Sequence, residues 1–170
     1  AKSGGAGIIL RAGTEITFEL FENVSSGTAE GGNLIELSVY RPIVVDGQTL
    51  INAGRYGEGK VIKARRAGVY GRPGKITVEA ISVEAVDGQR VFLYGTPYSS
   101  TGRDRRALAW VLSIGLTLGA MVGLAATKSS IFGVAIFMLL SGLLIRGQDV
   151  EIPSKTKLSG RVQQDIVIAQ

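Results

Sequence analysis

Six cations stand close together in this chain with no acid among them: Lys60, Lys63, Arg65, Arg66, Arg72 and Lys75, between Gly59 and Val78. Clustered Lys and Arg are the side chains that recognise phosphate groups on nucleic acid or lipid. The plainer reading is the solvated face of two strands and their loop, because no aromatic platform interleaves with these charges. Other chemistry is sparse. The chain has no Cys and no His. Metal sites built on thiolate or imidazole are therefore excluded, as are His-dependent triads and Cys nucleophiles. The carboxylates fall singly on strand-like segments, so no residue set presents itself for catalysis. The sequence implies a protein that is not an enzyme, with no metal and no cofactor.

The net charge of +5 is mild. Residues 1–106 carry 14 Lys/Arg and 11 Asp/Glu, and residues 146–170 carry 4 and 3. The excess is spread along the chain. The apolar residues are not. Between Arg106 and Arg146 the only charged residue is Lys128.

The elements that position these residues read as strands. In Thr14-Glu-Ile-Thr-Phe-Glu-Leu-Phe-Glu22, Ile16, Phe18 and Leu20 alternate with Thr17, Glu19 and Phe21. That is the period-two pattern of a half-buried strand. Leu34 to Tyr40 follows, then two apolar runs around the hairpin signal Asp46-Gly47. Further strands are expected from Gly59 to Arg65, from Lys75 to Val86 and, after the turn Asp87-Gly88, from Val91 to Tyr94. Arg161 to Ile168 alternates again. Short strands at regular spacing predict a mainly β fold, a small barrel or sandwich.

Within this frame, 107–146 is expected to be a transmembrane helical hairpin. Residues 107–126 form a charge-free stretch that at about 1.5 Å per residue matches a ~30 Å hydrocarbon core. Residues 131–145 form a shorter second span, suited to a thin bilayer. Gly115, Gly119 and Gly123 recur every fourth residue, which suits close helix packing within the hairpin or between subunits. Ser113, Thr117 and Ser141 are the residues that would face a wet lumen or bond back to their own helices. Arg106, Arg146 and Lys128 would hold the membrane boundaries. The strand after the hairpin implies an excursion from one β domain, with both roots on the same side. The organisation is then a flexible segment 1–7, a β domain from 8–106 and 147–170, and the hairpin 107–146.

Several short elements occur in an order that resembles the C-terminal domain of the type IV secretion and conjugation core-complex subunit. Ala12-Gly13-Thr14-Glu15-Ile16 is similar to the opening turn and strand of that family. Ser25-Ser26 with Gly31 resembles its segment before the second strand. Leu50-Ile51-Asn52-Ala53-Gly54 with Gly57 and Gly59 resembles an apolar, Pro, Gly element, with Asn52 where Pro is usual. Val86-Asp87-Gly88 and Val91-Phe92-Leu93 resemble its Asp-Gly turn and following strand, and Ile152-Pro153 to Asp165-Ile166 its final strands. The resemblance implies a β-barrel domain with a two-helix antenna, and a homo-oligomeric ring forming an outer-membrane channel or collar. Its partners would be further copies of itself, other envelope proteins and membrane lipid, with nucleic acid entering only as cargo. It implies the outer membrane and periplasm of a Gram-negative-type envelope. With residue 1 as a mature start, it implies an outer-ring relative lacking the family's inner-membrane segment. The alternative is an inner-membrane-anchored β domain that uses the 60–75 cations as a phosphate- or lipid-binding patch.

Overall fold

The alternating segments become strands because one side of each can be buried while the other stays wet. In a computed structural model, which describes residues 7–107, 111 and 145–169, six of them close into an antiparallel barrel. These are β2 (Glu15–Leu20), β4 (Leu34–Val39), β7 (Tyr56–Arg65), β8 (Lys75–Glu84), β9 (Arg90–Gly95) and β12 (Lys157–Val162). The circular order is β8–β7–β4–β2–β12–β9, sealed by the β8–β9 pairing. The start of β8 turns instead to β10 (Tyr98–Thr101), which pairs Thr101 with Lys75.

The barrel interior is filled, as the alternation demands. Ile16, Phe18 and Leu20 are buried on β2, Leu37 and Val39 on β4, Val78 and Ala80 on β8. Six strands enclose little space, so some inward positions must be bare. A Cβ on Gly59 would lie 2.8 Å from Ile35 Cγ1 and 2.9 Å from the Glu79 carbonyl oxygen. No side chain fits there without moving a neighbour.

Short ribbons cap both ends. At one pole β1 (Ile8–Leu10) pairs with β13 (Ile166–Ile168), beside the hairpin β5 (Ile43–Val45) and β6 (Gln48–Ile51). The Asp46-Gly47 turn takes positive φ at both residues, 50° and 78°, as a two-residue hairpin turn requires. At the other pole β3 (Val24–Ser25) pairs with β11 (Glu151–Ile152). The β7–β8 connection also lies there. β12, from the C-terminal segment, pairs with both β2 and β9, so the barrel closes only when the chain returns from residue 145.

The mainly β expectation holds, and of barrel and sandwich the fold is a barrel. The inserted transmembrane helical hairpin is not supported, and the two-helix antenna is not seen. Among the described residues no helix is long and apolar enough to cross a membrane, and helical backbone is confined to Arg106, Ala107 and Val111. The remainder of the two spans lies outside the described residues, with Gly115, Gly119, Gly123, Ser113, Thr117, Ser141 and Lys128. The physical reason is plain. Lack of charge specifies an apolar neighbourhood and leaves the backbone conformation open.

Candidate functional site

The chain leaves the β domain after residue 102 and returns at 145, and one loop holds both roots. Loop 68–74 lies between them. On the outgoing side, Arg105 N–H donates to the Gly71 carbonyl (3.1 Å) and Gly102 N–H to the Gly74 carbonyl (2.9 Å). On the returning side, Gly71 N–H donates to the Ile145 carbonyl (2.8 Å), Gly74 N–H to Gln148 (3.0 Å), and Gly147 N–H to Gly68 (2.9 Å). The tip of the loop is a tight turn closed by Arg72 N–H to the Val69 carbonyl at 3.3 Å. Tyr70 and Gly71 there have φ of 55° and 67°. A Cβ at Gly71 would collide with the Arg105 carbonyl, so glycine is what lets the turn wedge between the roots.

A polar clamp secures the return. Ser26 is fully buried. Its hydroxyl accepts from Val150 N–H (3.0 Å) and donates to Asp149 Oδ1 (3.2 Å). The same carboxylate oxygen accepts from Ala67 N–H at 2.7 Å. Three segments that are remote in sequence meet at this one serine–aspartate pair. Ile152 then buries fully beside Val24 in the β3–β11 ribbon.

This pole is where the charge gathers. Segments 65–75, 102–107 and 145–150 together carry eight Lys/Arg and two Asp, leaving eleven Lys/Arg and twelve acids elsewhere. The whole positive excess of the protein is therefore held by three segments that the fold brings together. The sequence counted by linear segment shows only a spread-out excess. Arg65 and Lys75 are direct cross-strand partners, a like-charge pairing that costs stability unless something anionic is near. Of the other expected patch residues, Lys63 opposes Thr77, while Lys60 opposes Glu79 and sits further along the wall. Arg66, Arg72, Arg106 and Arg146 are exposed. A cavity of ≈ 380 Å³ opens between the turn and the outgoing root, lined by Gly68, Val69, Tyr70, Arg72 and Arg106. Asp104 accepts from Arg106 N–H at 2.8 Å and lies 3.9 Å from its guanidinium.

The barrel wall carries a second feature that the sequence did not disclose. The large apolar side chains exposed on the barrel strands are Leu34 on β4, Tyr56 and Ile62 on β7, and Phe92 and Tyr94 on β9. In the six-strand circle β4 and β9 stand opposite each other. Each exposed residue alternates with buried ones, so the sequence reads as one apolar run and hides the outward half.

Two carboxylates that are distant in sequence meet on the barrel. Glu58 and Glu84 line a common cavity of ≈ 230 Å³, a meeting that their separation in sequence conceals. Each is held by an arginine, Glu84 by Arg55 at 2.8 Å and Glu58 by Arg90 at 3.4 Å. Among the described residues no group of three or more acids is placed to hold a metal ion. One phenol is perturbed. Hydrogen bonding by Lys157, then its charge and that of Arg41, hold the Tyr40 hydroxyl below the usual tyrosine range. The Lys157 ammonium lies 3.8 Å from the ring centroid.

No family model matches the chain, and no curated protein matches it. Among solved structures it is similar to ComB10 of the Com type IV secretion system of Helicobacter pylori. The two are 14% identical, with a TM-score of 0.45 over 98% of this chain and 94% of the other.

Proposed function

We propose that this chain is a non-catalytic component of a secretion- or conjugation-type machine of the cell envelope, in which its barrels pack side by side into a closed ring. The observation that carries the reading is the pair of apolar patches on opposite walls of the barrel, Leu34 with Ile62 and Phe92 with Tyr94. Two unlike patches on opposite sides suit a heterologous, head-to-tail contact, and repeated rotation of such a contact closes a ring. A symmetric dimer needs one self-complementary patch instead. The order of turn and strand motifs that resembles the conjugation core-complex family supports the same reading. It also supports a place at the outer membrane and periplasm, with the 102–107 and 145–150 pole toward the lipid.

The test is the mass and shape of the full chain extracted in mild detergent. Light scattering and particle images are expected to show a closed ring. Leu34→Glu and Tyr94→Glu each place a charge on one patch and are expected to yield monomers. Mixed together, the two variants retain one good patch apiece, so they should form dimers and no ring. A wild-type chain that is monomeric in mild detergent, with no ring in the images, overturns the proposal.

A further inference from the structure

We propose that the cleft between turn 69–72 and the outgoing root binds the phosphate of an anionic lipid headgroup, with Arg72 and Arg106 as its ligands. Three observations converge on it. The cleft is a formed space of ≈ 380 Å³, within the range that takes a small ligand. Its walls carry two guanidiniums, each able to present a two-donor fork to phosphate oxygens. The counter-charge is weak. Arg72 has no ion pair among the described residues, and Arg106 has only Asp104 at 3.9 Å. Asp104 in turn spends one oxygen on the Arg106 backbone N–H.

The surroundings favour a lipid over a nucleic acid. Val69 and Tyr70 protrude at the cleft rim, 46% and 36% exposed. An apolar side chain and a tyrosine beside arginines form the amphipathic mix found at the headgroup level of a membrane. A single-strand binder would instead need a series of stacking aromatics, and among the described residues Tyr70 is the one aromatic lining the cleft. The chain that continues from Arg106 to Arg146 contains one charge, Lys128. The guanidiniums thus sit where a strongly charged pole gives way to a charge-poor segment, as headgroup phosphates do in a bilayer. The rigid hold on loop 68–74 by both roots fixes the cleft before any ligand arrives. This inference stands on the cleft alone and does not need the ring.

Flotation of the full chain with vesicles tests it. One set is phosphatidylcholine alone, and the other has phosphatidylglycerol in place of a third of it. Binding is expected to prefer the anionic vesicles. Each basic residue near an anionic surface contributes about fivefold, so Arg72→Gln/Arg106→Gln should lose about 30-fold. Lys60→Gln/Lys63→Gln removes the same charge outside the cleft and should lose only a few-fold. Val69→Glu, which sets a carboxylate at the rim without touching either arginine, should lose at least about fivefold. Equal losses for the arginine and lysine pairs would mean diffuse attraction and overturn the site. So would the absence of any preference for anionic vesicles. Inorganic phosphate or a single-stranded oligonucleotide binding as tightly as the vesicles would overturn the lipid assignment.

Discussion

Replacing Ser26 by Ala removes one oxygen and should loosen the whole return of the chain. The hydroxyl makes two bonds in a site with no solvent exposure. It accepts from Val150 N–H at 3.0 Å and donates to Asp149 Oδ1 at 3.2 Å. Without it the Val150 N–H is buried and unpaired, a cost of about 1–3 kcal/mol, and a bond to a carboxylate worth about 1.5–3 kcal/mol is lost. The two overlap, because Asp149 keeps its bond from Ala67 N–H and remains open to water. A net loss of about 3 kcal/mol is expected. For a chain of this size each kcal/mol moves the melting temperature by about 2–4 °C, so Tm should fall by about 6–12 °C. Thermal unfolding of the full chain followed in the β-sheet circular dichroism band reads the global effect. Hydrogen exchange at the Val150 and Ala67 amides reads the local one, and both amides should lose protection first. Ser25→Ala is the control, since among the described residues its hydroxyl accepts only a local bond from Gly27 N–H at 3.2 Å. It should cost no more than about 1 kcal/mol. A Ser26→Ala protein that melts within about 2 °C of wild type, with Val150 protection unchanged, would refute the clamp.

Two further outcomes follow from the packing and the charges. Gly59→Ala forces a methyl group to within 2.8 Å of Ile35 and 2.9 Å of a carbonyl oxygen, which should destabilise the barrel by about 1–3 kcal/mol in chemical denaturation. Gly32→Ala, at a loop site with open space, tests the backbone penalty alone because its φ is 100°. In an ultraviolet titration Tyr40 should ionise below the usual tyrosine range, and Lys157→Met should move it back toward that range, because Lys157 is the main cause of the shift.

The barrel strands were legible in the sequence because each has one buried and one wet side, and that asymmetry leaves a period of two. Glu15 to Leu20 and Lys75 to Glu84 show it plainly. Of the short ribbons, the β5–β6 hairpin was legible from its Asp46-Gly47 turn, and β3–β11 was not. β3 and β11 have two residues each and exist only because Val24 meets Ile152. β10 is exposed or half-buried throughout, so it carries no alternation. The cationic pole was half visible. Lys60 to Lys75 form one run in sequence, but Arg103, Arg105, Arg106 and Arg146 join Arg65, Arg66, Arg72 and Lys75 only through bonds to loop 68–74. The cleft therefore pairs Arg72 with Arg106, a partnership that no spacing reveals. The helical expectation for 107–146 failed for a related reason. It took hydropathy, which reports the preferred surroundings, for conformation.

Closure of the barrel also decides how copies of this chain can meet. An open sheet offers unpaired backbone at its edges, and edge-to-edge pairing is then the easiest route to association. Here β8 meets β9 and the circle of strands is complete, so the barrel wall offers almost no free backbone. Association through the wall must use side chains. The wall's large exposed apolar side chains include Leu34, Tyr56, Ile62, Phe92 and Tyr94, and of their strands β4 and β9 stand opposite each other. Closure itself depends on bare positions such as Gly59, where neighbouring strands leave no room for a Cβ. Small residues inside thus remove the edges, and in the proposed ring the contacts along the wall fall to side chains. Among the described residues edge pairing stays open at the two-stranded ribbons β1–β13, β5–β6 and β3–β11 at the poles, and along the outer side of β10. Side-by-side packing and any strand added at a pole are therefore separable: Tyr94→Glu should abolish the first and leave the second untouched.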